Sequence, residues 1–187
     1  MPSKPLHDFL NAHLKNCCTQ KTSAQESGIQ VRTEPLLGEK ILFFHTDCDE
    51  GRTCLKMKLT GASSNKICDY LIYYTKDDQE RETVCFLELR STDLASATEP
   101  IKDVHKQTNM LIRDEIPGKC HEDFAFRVCI CLRSQAPSTG QHIKNLLIQT
   151  FGKGNVEIKH GTTPYDIGPF LRHPVNKDHL KLLTRGL

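Results

Sequence analysis

The sequence predicts a single α/β domain in which a mixed central sheet is flanked by helices. Two observations predict this class. Apolar runs of strand length dominate the first half of the chain, and helical periodicity then alternates with further apolar strands after residue 93. At 187 residues the chain can bury a hydrophobic core without disulfides or metals. We expect one domain over residues 1–187, with a core at about 5–160 and a short basic tail at 173–187.

The first half is expected to contain a helix followed by strands. Apolar residues at helical spacing between Leu6 and Leu14 predict a first helix that ends near Cys17. The polar segment TQKTSAQESG, residues 19–28, is predicted to be a loop. Apolar runs of strand length follow at residues 29–37, 40–47 and 54–59 and twice within residues 68–93.

The period of the apolar pattern changes after Asp93. Apolar residues from Leu94 to Leu111 lie on one helical face, which predicts a helix. Thr92 or Asp93 is the candidate cap. Pro100 is expected to kink or split this helix. The second half then predicts four elements. They are a strand at residues 124–132, an amphipathic helix at 143–151 that is stopped by GKG, a short strand at 155–161 and a turn with apolar anchors at 164–171.

Composition limits the classes of function. Lys and Arg number 25 against 23 Asp and Glu, so bulk charge does not indicate nucleic acid, and any basic surface would be local. The N-terminal residues lack a secretory pattern, and no apolar run approaches the roughly 18 residues that span a bilayer. We therefore expect a cytoplasmic protein without a membrane partner. Its nine cysteines are expected to be reduced core residues.

The stretch CDYLIYYTKDDQERETVCFLELRSTD, residues 68–93, places charges within two runs typical of core strands. A turn near Gln79 would pair the runs as antiparallel neighbours, with Asp69 opposite Glu88 or Leu89. Glu88 and Arg90 should point to one face because residues two apart in a strand do so. Burying an unpaired carboxylate is costly. These charges therefore form a structural ion pair that fixes strand register, or they hold a metal.

Two carboxylates at one sheet edge make a hard oxygen site of the kind that Mg²⁺ prefers, with water and substrate phosphate completing the coordination; Mn²⁺ is the other candidate. Arg90 could balance the carboxylates, orient the attacking water or stabilise charge on the phosphate. Asp69, Glu88 and Arg90 together therefore suit hydrolysis of a phosphodiester bond.

The pattern KICDYLIYY followed by VCFLELRSTD resembles the D…(D/E)-x-K core of restriction-endonuclease-like, or PD-(D/E)xK, nucleases. It is similar in particular to small uncharacterised bacterial proteins with a CDYLI…FIELKG-type core. The resemblance implies an α-β-β-β-α-β core and metal ligands at Asp69 and Glu88. It places Arg90 at the motif lysine, and it makes Gln107 the candidate for a glutamine that faces the site from the next helix.

This chain departs from the family pattern at two motif positions. Cys68 stands where the family has proline, a position that shapes the backbone rather than the chemistry. Arg90 replaces lysine, and its guanidinium is a planar fork that stays charged, whereas lysine can lose a proton when buried. The family often adds an acidic residue from the first helix, for which Asp8 or Glu26 could serve.

The resemblance leads us to expect a Mg²⁺- or Mn²⁺-dependent endonuclease, with DNA the favoured substrate. We expect it to act in a bacterial defence system, with a homodimer or a partner protein as the possible assemblies. The alternative is a catalytically degenerate member of the fold that binds nucleic acid or a partner protein. The replacement of lysine by Arg90 favours this alternative, whereas retention of both carboxylates favours the enzyme.

Other candidate sites have weaker patterns. The cysteines lack the paired C-x2-C spacing of zinc sites, and the most plausible zinc set would be Cys17, Cys18, Cys48 and Cys54. The turn TDCDEG resembles part of a calcium loop but lacks the later ligands. Three histidines have no partner at catalytic spacing and are expected to be structural or surface residues; they are His45, His105 and His121.

Overall fold

A computed structural model of the protein describes residues 6, 8, 22–47, 68–77, 79, 81–91, 94, 97–116, 118, 123–134 and 140–174. Eight strands and three helices have defined bounds within these residues. The strands are β1 (Ser23–Glu26), β2 (Ile29–Arg32), β3 (Glu39–His45), β4 (Tyr70–Lys76), β5 (Glu82–Arg90), β6 (Phe124–Leu132), β7 (Val156–His160) and β8 (Tyr165–Asp166). The helices are α1 (Thr98–Glu115), α2 (Gly140–Phe151) and α3 (Gly168–Arg172).

The larger sheet has five strands in the order β3-β4-β5-β6-β7. The first three strands form an antiparallel meander, whereas β5, β6 and β7 run parallel to one another. Parallel neighbours require a crossover connection, and α1 and α2 lie in the two crossovers. The expected mixed α/β class is therefore confirmed.

Two hydrophobic clusters cover the two faces of this sheet, because successive strand residues point to opposite faces. Val84 and Phe86 of β5 belong to the cluster that α1 and α2 complete. Cys85 and Leu87 belong to the other cluster, which contains residues of β1, β2 and α3. β5 is buried from Glu82 to Leu89, which explains its apolar residues on both faces.

A smaller sheet, in the order β1-β2-β8, differs from the sequence prediction. Residues 19–28 were predicted to be a loop, but β1 lies within them and pairs antiparallel with β2. The two strands are joined by Ser27 and Gly28, whose φ angles of 53° and 75° are typical of a two-residue hairpin turn. The sequence conceals β1 because Ala24 is its one buried residue.

The packed core extends past residue 160 into the C-terminal part of the chain. Residues 164–171 were predicted to be a turn, but they contain β8, which pairs parallel with β2, and most of α3. Phe170 of α3 is buried, and its carbonyl accepts a hydrogen bond from the buried side chain of Arg127. Arg172 Nε donates to Glu39 Oε1 over 2.9 Å, which ties α3 to β3.

α1 begins at Thr98, so Pro100 lies in its first turn and neither kinks nor splits it. A proline is tolerated there because the first N–H groups of a helix have no partner within the helix. α2 ends at Phe151, and the chain reverses through Gly152 and Gly154 with φ angles of 92° and 91°. Left-handed angles of this kind favour glycine.

Several predicted elements lie outside the described residues. They are the strand at 54–59, the candidate caps Thr92 and Asp93, the tail beyond residue 174, and the first helix apart from Leu6 and Asp8. Leu6 is helical and is buried in the cluster on the side of α1 and α2. No described helix is long and apolar enough to cross a membrane.

The packing of α2 against the sheet predicts a stability effect. Leu147 is fully buried in the helix-side cluster, so Leu147→Ala should lower the free energy of unfolding by about 2–5 kcal/mol through lost burial and a residual cavity. Urea unfolding followed by circular dichroism measures this change. Gln149 is exposed on the same helix, so Gln149→Ala should change stability little. Equal effects of the two variants would contradict the observed orientation of α2.

Candidate functional site

Pairing of β4 with β5 brings the two predicted carboxylates together. Tyr70 of β4 lies opposite Leu87 of β5, and continuing this register by one residue places Asp69 opposite Glu88. This is one of the two registers expected from the sequence. At the other end of the pair, Tyr74 lies opposite Thr83.

Reciprocal hydrogen bonds fix Asp69 and Glu88 beside each other. The backbone N–H of Leu89 donates to Asp69 Oδ2 over 2.6 Å. The backbone N–H of Asp69 donates to Glu88 Oε2 over 3.2 Å. Each carboxylate thus accepts a hydrogen bond from the backbone of the opposite segment. Both side chains are buried, with exposed fractions of 3% for Asp69 and 0% for Glu88.

Arg90 supplies a cation to this carboxylate pair. Its Nη2 forms an ion pair with Glu88 Oε1, and its side chain is 35% exposed, so the arginine lies between the buried carboxylates and solvent. Glu88 Oε1 and Arg90 Nε are buried and make no hydrogen bond of acceptable geometry with any described residue. The polar groups of the site are therefore only partly satisfied.

The two carboxyl groups have raised pKa values. Burial raises the pKa of Asp69 to about 6, although the Leu89 N–H and Arg90 act in the opposite direction. Burial and the negative charge of Asp69 raise the pKa of Glu88 to about 8, against the effect of Arg90. Burial acts to lower the pKa of Arg90, but the charge of Glu88 and the bond to it raise the pKa overall. Close carboxyl groups titrate as a pair, so this pair retains a proton near neutral pH.

Two more acidic residues lie within electrostatic range of the pair. After burial, the charges of Glu26 and Asp47 are the causes that raise the pKa of Asp69. Glu26 ends β1 and was one of two candidates for an additional acid. Asp47 was missed, although it belongs to the turn TDCDEG directly after β3, and its N–H donates to the carbonyl of Asp69 over 3.4 Å.

Asp8, the other candidate acid, has a different electrostatic neighbour. Burial and Glu82 are the main causes that raise the pKa of Tyr73, and the charge of Asp8 adds to them. Glu82 begins β5, so Tyr73 and Glu82 lie at the opposite end of the β4–β5 pair from Asp69. Asp8 is therefore not among the main causes of the pKa shifts of Asp69 and Glu88.

The donor set fits Mg²⁺ or Mn²⁺. Within the described ranges, no three His, Cys, Asp or Glu side chains form a group that could hold a metal ion. Mg²⁺, however, is commonly held by one or two carboxylates, with water and substrate phosphate supplying the other oxygens. Asp69 and Glu88 provide two such carboxylates, and Glu88 Oε1 could serve as a donor if Arg90 shared or released it.

No contact with this site is described for several other predicted residues. Gln107 belongs to α1, but its side chain lies outside the described part of the structure. His45 stacks on Tyr70 with ring centroids 4.6 Å apart. His105 packs against Phe126 and Phe151 at 4.8 and 4.7 Å. The placements of His45 and His105 agree with their expected structural role.

The cysteines that the structure describes are core residues. Cys129 and Cys131 lie on one face of β6 in the same hydrophobic cluster, as their alternation predicts. Their sulfur atoms are 3.8 Å apart. His121 and the zinc candidates lie outside the described residues; those candidates are Cys17, Cys18, Cys48 and Cys54.

Comparison with known proteins identifies no relative: no family model, no curated protein and no solved structure matches the chain. The resemblance to PD-(D/E)xK nucleases therefore stays a prediction that rests on the sequence motif.

The raised pKa of Glu88 predicts a pH dependence of stability. Because Glu88 binds a proton more tightly when folded, its contribution is fully present below pH 4.5 and is lost as pH rises to about 8. The free energy of unfolding should fall across this range by up to about 1.4 kcal/mol per pH unit. Glu88→Gln should remove most of this fall and should be more stable than the parent at pH 8.5.

Urea unfolding at a series of pH values measures this effect. Glu99 is an exposed glutamate of α1, so Glu99→Gln should keep the pH profile of the parent. A profile for Glu88→Gln that matches the parent at every pH would show that burial of this carboxyl does not set the pH dependence.

Proposed function

We propose that the protein is a metal-dependent nuclease that hydrolyses phosphodiester bonds, with DNA as the favoured substrate. One observation carries the proposal: two buried carboxylates are locked side by side at the edge of the sheet, and a half-exposed arginine stands next to them. A purely structural pair of strands gains nothing from burying two carboxylates that repel each other. A divalent cation between them would offset this repulsion.

The chain topology supports the same proposal. The order β3-β4-β5-α1-β6 consists of an antiparallel meander, a helix and a parallel strand. Within the described residues this order agrees with the β-β-β-α-β part of the core that the PD-(D/E)xK resemblance implies, and Leu6 and Asp8 are helical earlier in the chain, before β1 and β2. Asp69 and Glu88 belong to the second and third strand segments of that order. A role in bacterial defence, alone or with a partner, stays a prediction of the resemblance.

Each residue of the site would have a separate task. Asp69 and Glu88 would hold Mg²⁺ or Mn²⁺, which when bound supplies a Lewis acid and an activated water. The N–H groups of Leu89 and Asp69 orient the two carboxylates. Arg90 could donate to a phosphate oxygen through its planar fork. To do so, its guanidinium would share or release its contact with Glu88.

The nuclease proposal predicts metal-dependent cutting. Purified protein should cleave duplex DNA with Mg²⁺ or Mn²⁺ and should be inactive in EDTA. Asp69→Asn and Glu88→Gln should each lower the rate by at least about 100-fold, because a metal-holding oxygen is lost. Single-stranded DNA and RNA, tested in parallel, identify the substrate class.

Glu82→Gln is the matched control for these variants. Glu82 is also a buried carboxylate of β5, but it pairs with the Tyr73 hydroxyl at the other end of the strand. It should therefore keep the parent rate whenever it folds. Cutting that survives in both Asp69→Asn and Glu88→Gln would place the activity elsewhere.

A second candidate function is supported by the ion pair itself. Arg90 neutralises Glu88 with a cation of the chain, so the site could be a degenerate one that has kept the fold and lost catalysis. The protein would then bind nucleic acid or a partner protein without cutting. Arginine cannot act as a base as lysine can, because it stays protonated.

Arg90→Lys separates the two functions. If Arg90 serves as a phosphate clamp, the lysine variant should cut with a rate within about ten-fold of the parent, because the positive charge is kept. If the site is degenerate, the parent should be inactive, and cutting should appear only in Arg90→Lys. Comparison of the two proteins under the same metal conditions makes the distinction.

A further inference from the structure

Arg133 stands directly beside the carboxylate site. It follows the last residue of β6, and its backbone N–H donates to the carbonyl of Arg90 over 3.0 Å. Ser134 Oγ donates to the carbonyl of Ser91 over 3.3 Å, so two bonds join the segments that leave β5 and β6. Because β5 and β6 are parallel, their carboxyl ends lie at the same edge of the sheet. Arg133 and Arg90 are thus neighbours at that edge.

The side chain of Arg133 is an exposed cation next to the turn between β1 and β2. Its guanidinium lies close to Gly28. A Cβ atom added to this glycine would be 3.8 Å from Arg133 Cζ. The residue is exposed, and the guanidinium makes no hydrogen bond or ion pair with another described residue. Its N–H donors are therefore available to a ligand that carries oxygen acceptors.

The hairpin that supports Arg133 also reaches the carboxylate pair. Glu26 lies two residues before Gly28, at the end of β1. The negative charge of Glu26 is one of the smaller causes of the raised pKa values of both Asp69 and Arg90. One short turn is therefore close to the carboxylate pair on one side and to the Arg133 guanidinium on the other. Because Arg133 continues the alternation of Cys129 and Cys131, its side chain lies on the hairpin face, at the same end of the sheet as the site.

Among the described residues at this edge, Arg133 is a cation that does not pair with the carboxylates of the site. Asp69, Glu88 and Glu26 repel an anion, and Arg90 is paired with Glu88, which leaves Arg133 as an additional cation beside them. Neighbouring strands are about 4.8 Å apart, which is less than the reach of an extended arginine side chain. Adjacent strand ends can therefore contact nearby phosphates of one backbone.

We propose that Arg133, supported by the Ser27–Gly28 turn, binds a backbone phosphate of DNA next to the phosphate held at Asp69 and Glu88. The proposal rests on the proposed function, because it assigns a neighbouring subsite to the same substrate. Arg133 is a positioning residue that holds the backbone in place. It does not contact the reacting atoms, so its removal should act mainly on binding and on the dependence of binding on salt.

Binding of a short fluorescent DNA duplex tests the proposal. Anisotropy is measured with the full-length chain in EDTA, which prevents metal-dependent cutting, over a series of NaCl concentrations. Arg133→Ala should bind roughly ten-fold more weakly at low salt. Its slope of log K against log salt should be smaller by about 0.9, the value for one lost phosphate contact. Arg133→Lys should keep the slope of the parent because it keeps the charge.

Lys153→Ala is the matched control. Lys153 is exposed and precedes β7, at the opposite end of the parallel strands from Arg133, so the variant removes the same charge far from the site. It should bind like the parent. If Arg133→Ala, with an unchanged melting temperature, has the affinity and slope of Lys153→Ala, the phosphate subsite is overturned and the nuclease proposal is unaffected.

The remaining outcomes separate the two proposals. A selective loss in Arg133→Ala, together with an absence of cutting in every metal, supports the phosphate subsite and rejects the nuclease. A parent chain that binds no duplex at any salt concentration overturns the subsite. In that case the cleavage assay alone decides the nuclease proposal.

Discussion

The site depends on two hydrogen bonds that join Asp69 to the end of β5. The Leu89 N–H binds the Asp69 carboxylate, and the Asp69 N–H binds the Glu88 carboxylate. Together they hold the β4–β5 register at its open end. A slip of one residue would turn Glu88, together with Arg90, to the opposite face of the sheet, away from Asp69. The register of β4 against β5 therefore also sets the geometry of the charged site.

This constraint has an energetic cost that the rest of the fold offsets. Two buried carboxyl groups with raised pKa values resist ionisation, and the negative charge of Asp69 acts against that of Glu88. Apolar side chains on both faces of β4 and β5 supply the opposing stability, because nearly every residue of these strands is buried. A locally unfavourable arrangement in a well-packed sheet is typical of a functional site, and Arg90 at the solvent boundary is where a substrate would arrive.

The parts of this structure that were predictable have strong local signals. Residues 124–132 form a continuous apolar strand, and the Gln79 turn with the two-residue period of β5 placed Asp69 near Glu88. β1 was not predictable because its pairing with β2 depends on burial of Ala24 alone, and β8 has only two residues. Proximity of Asp47, Glu26 and Arg133 to the site depends on pairing between distant segments, which no local period reveals. Pro100 was expected to kink or split the helix because the sequence pattern did not show that α1 begins only two residues before it.

The position of a bound metal tests the account most directly. A crystal of the full-length chain grown with Mn²⁺ and measured at the manganese absorption edge would locate the ion by anomalous scattering. A metal site at Asp69 and Glu88 predicts a single strong peak about 2.1 Å from a carboxylate oxygen of both residues, with Arg90 displaced from Glu88 Oε1 or sharing it. Absence of a peak at saturating Mn²⁺, with Arg90 still paired to Glu88, would contradict a metal site and identify the charges as a structural ion pair.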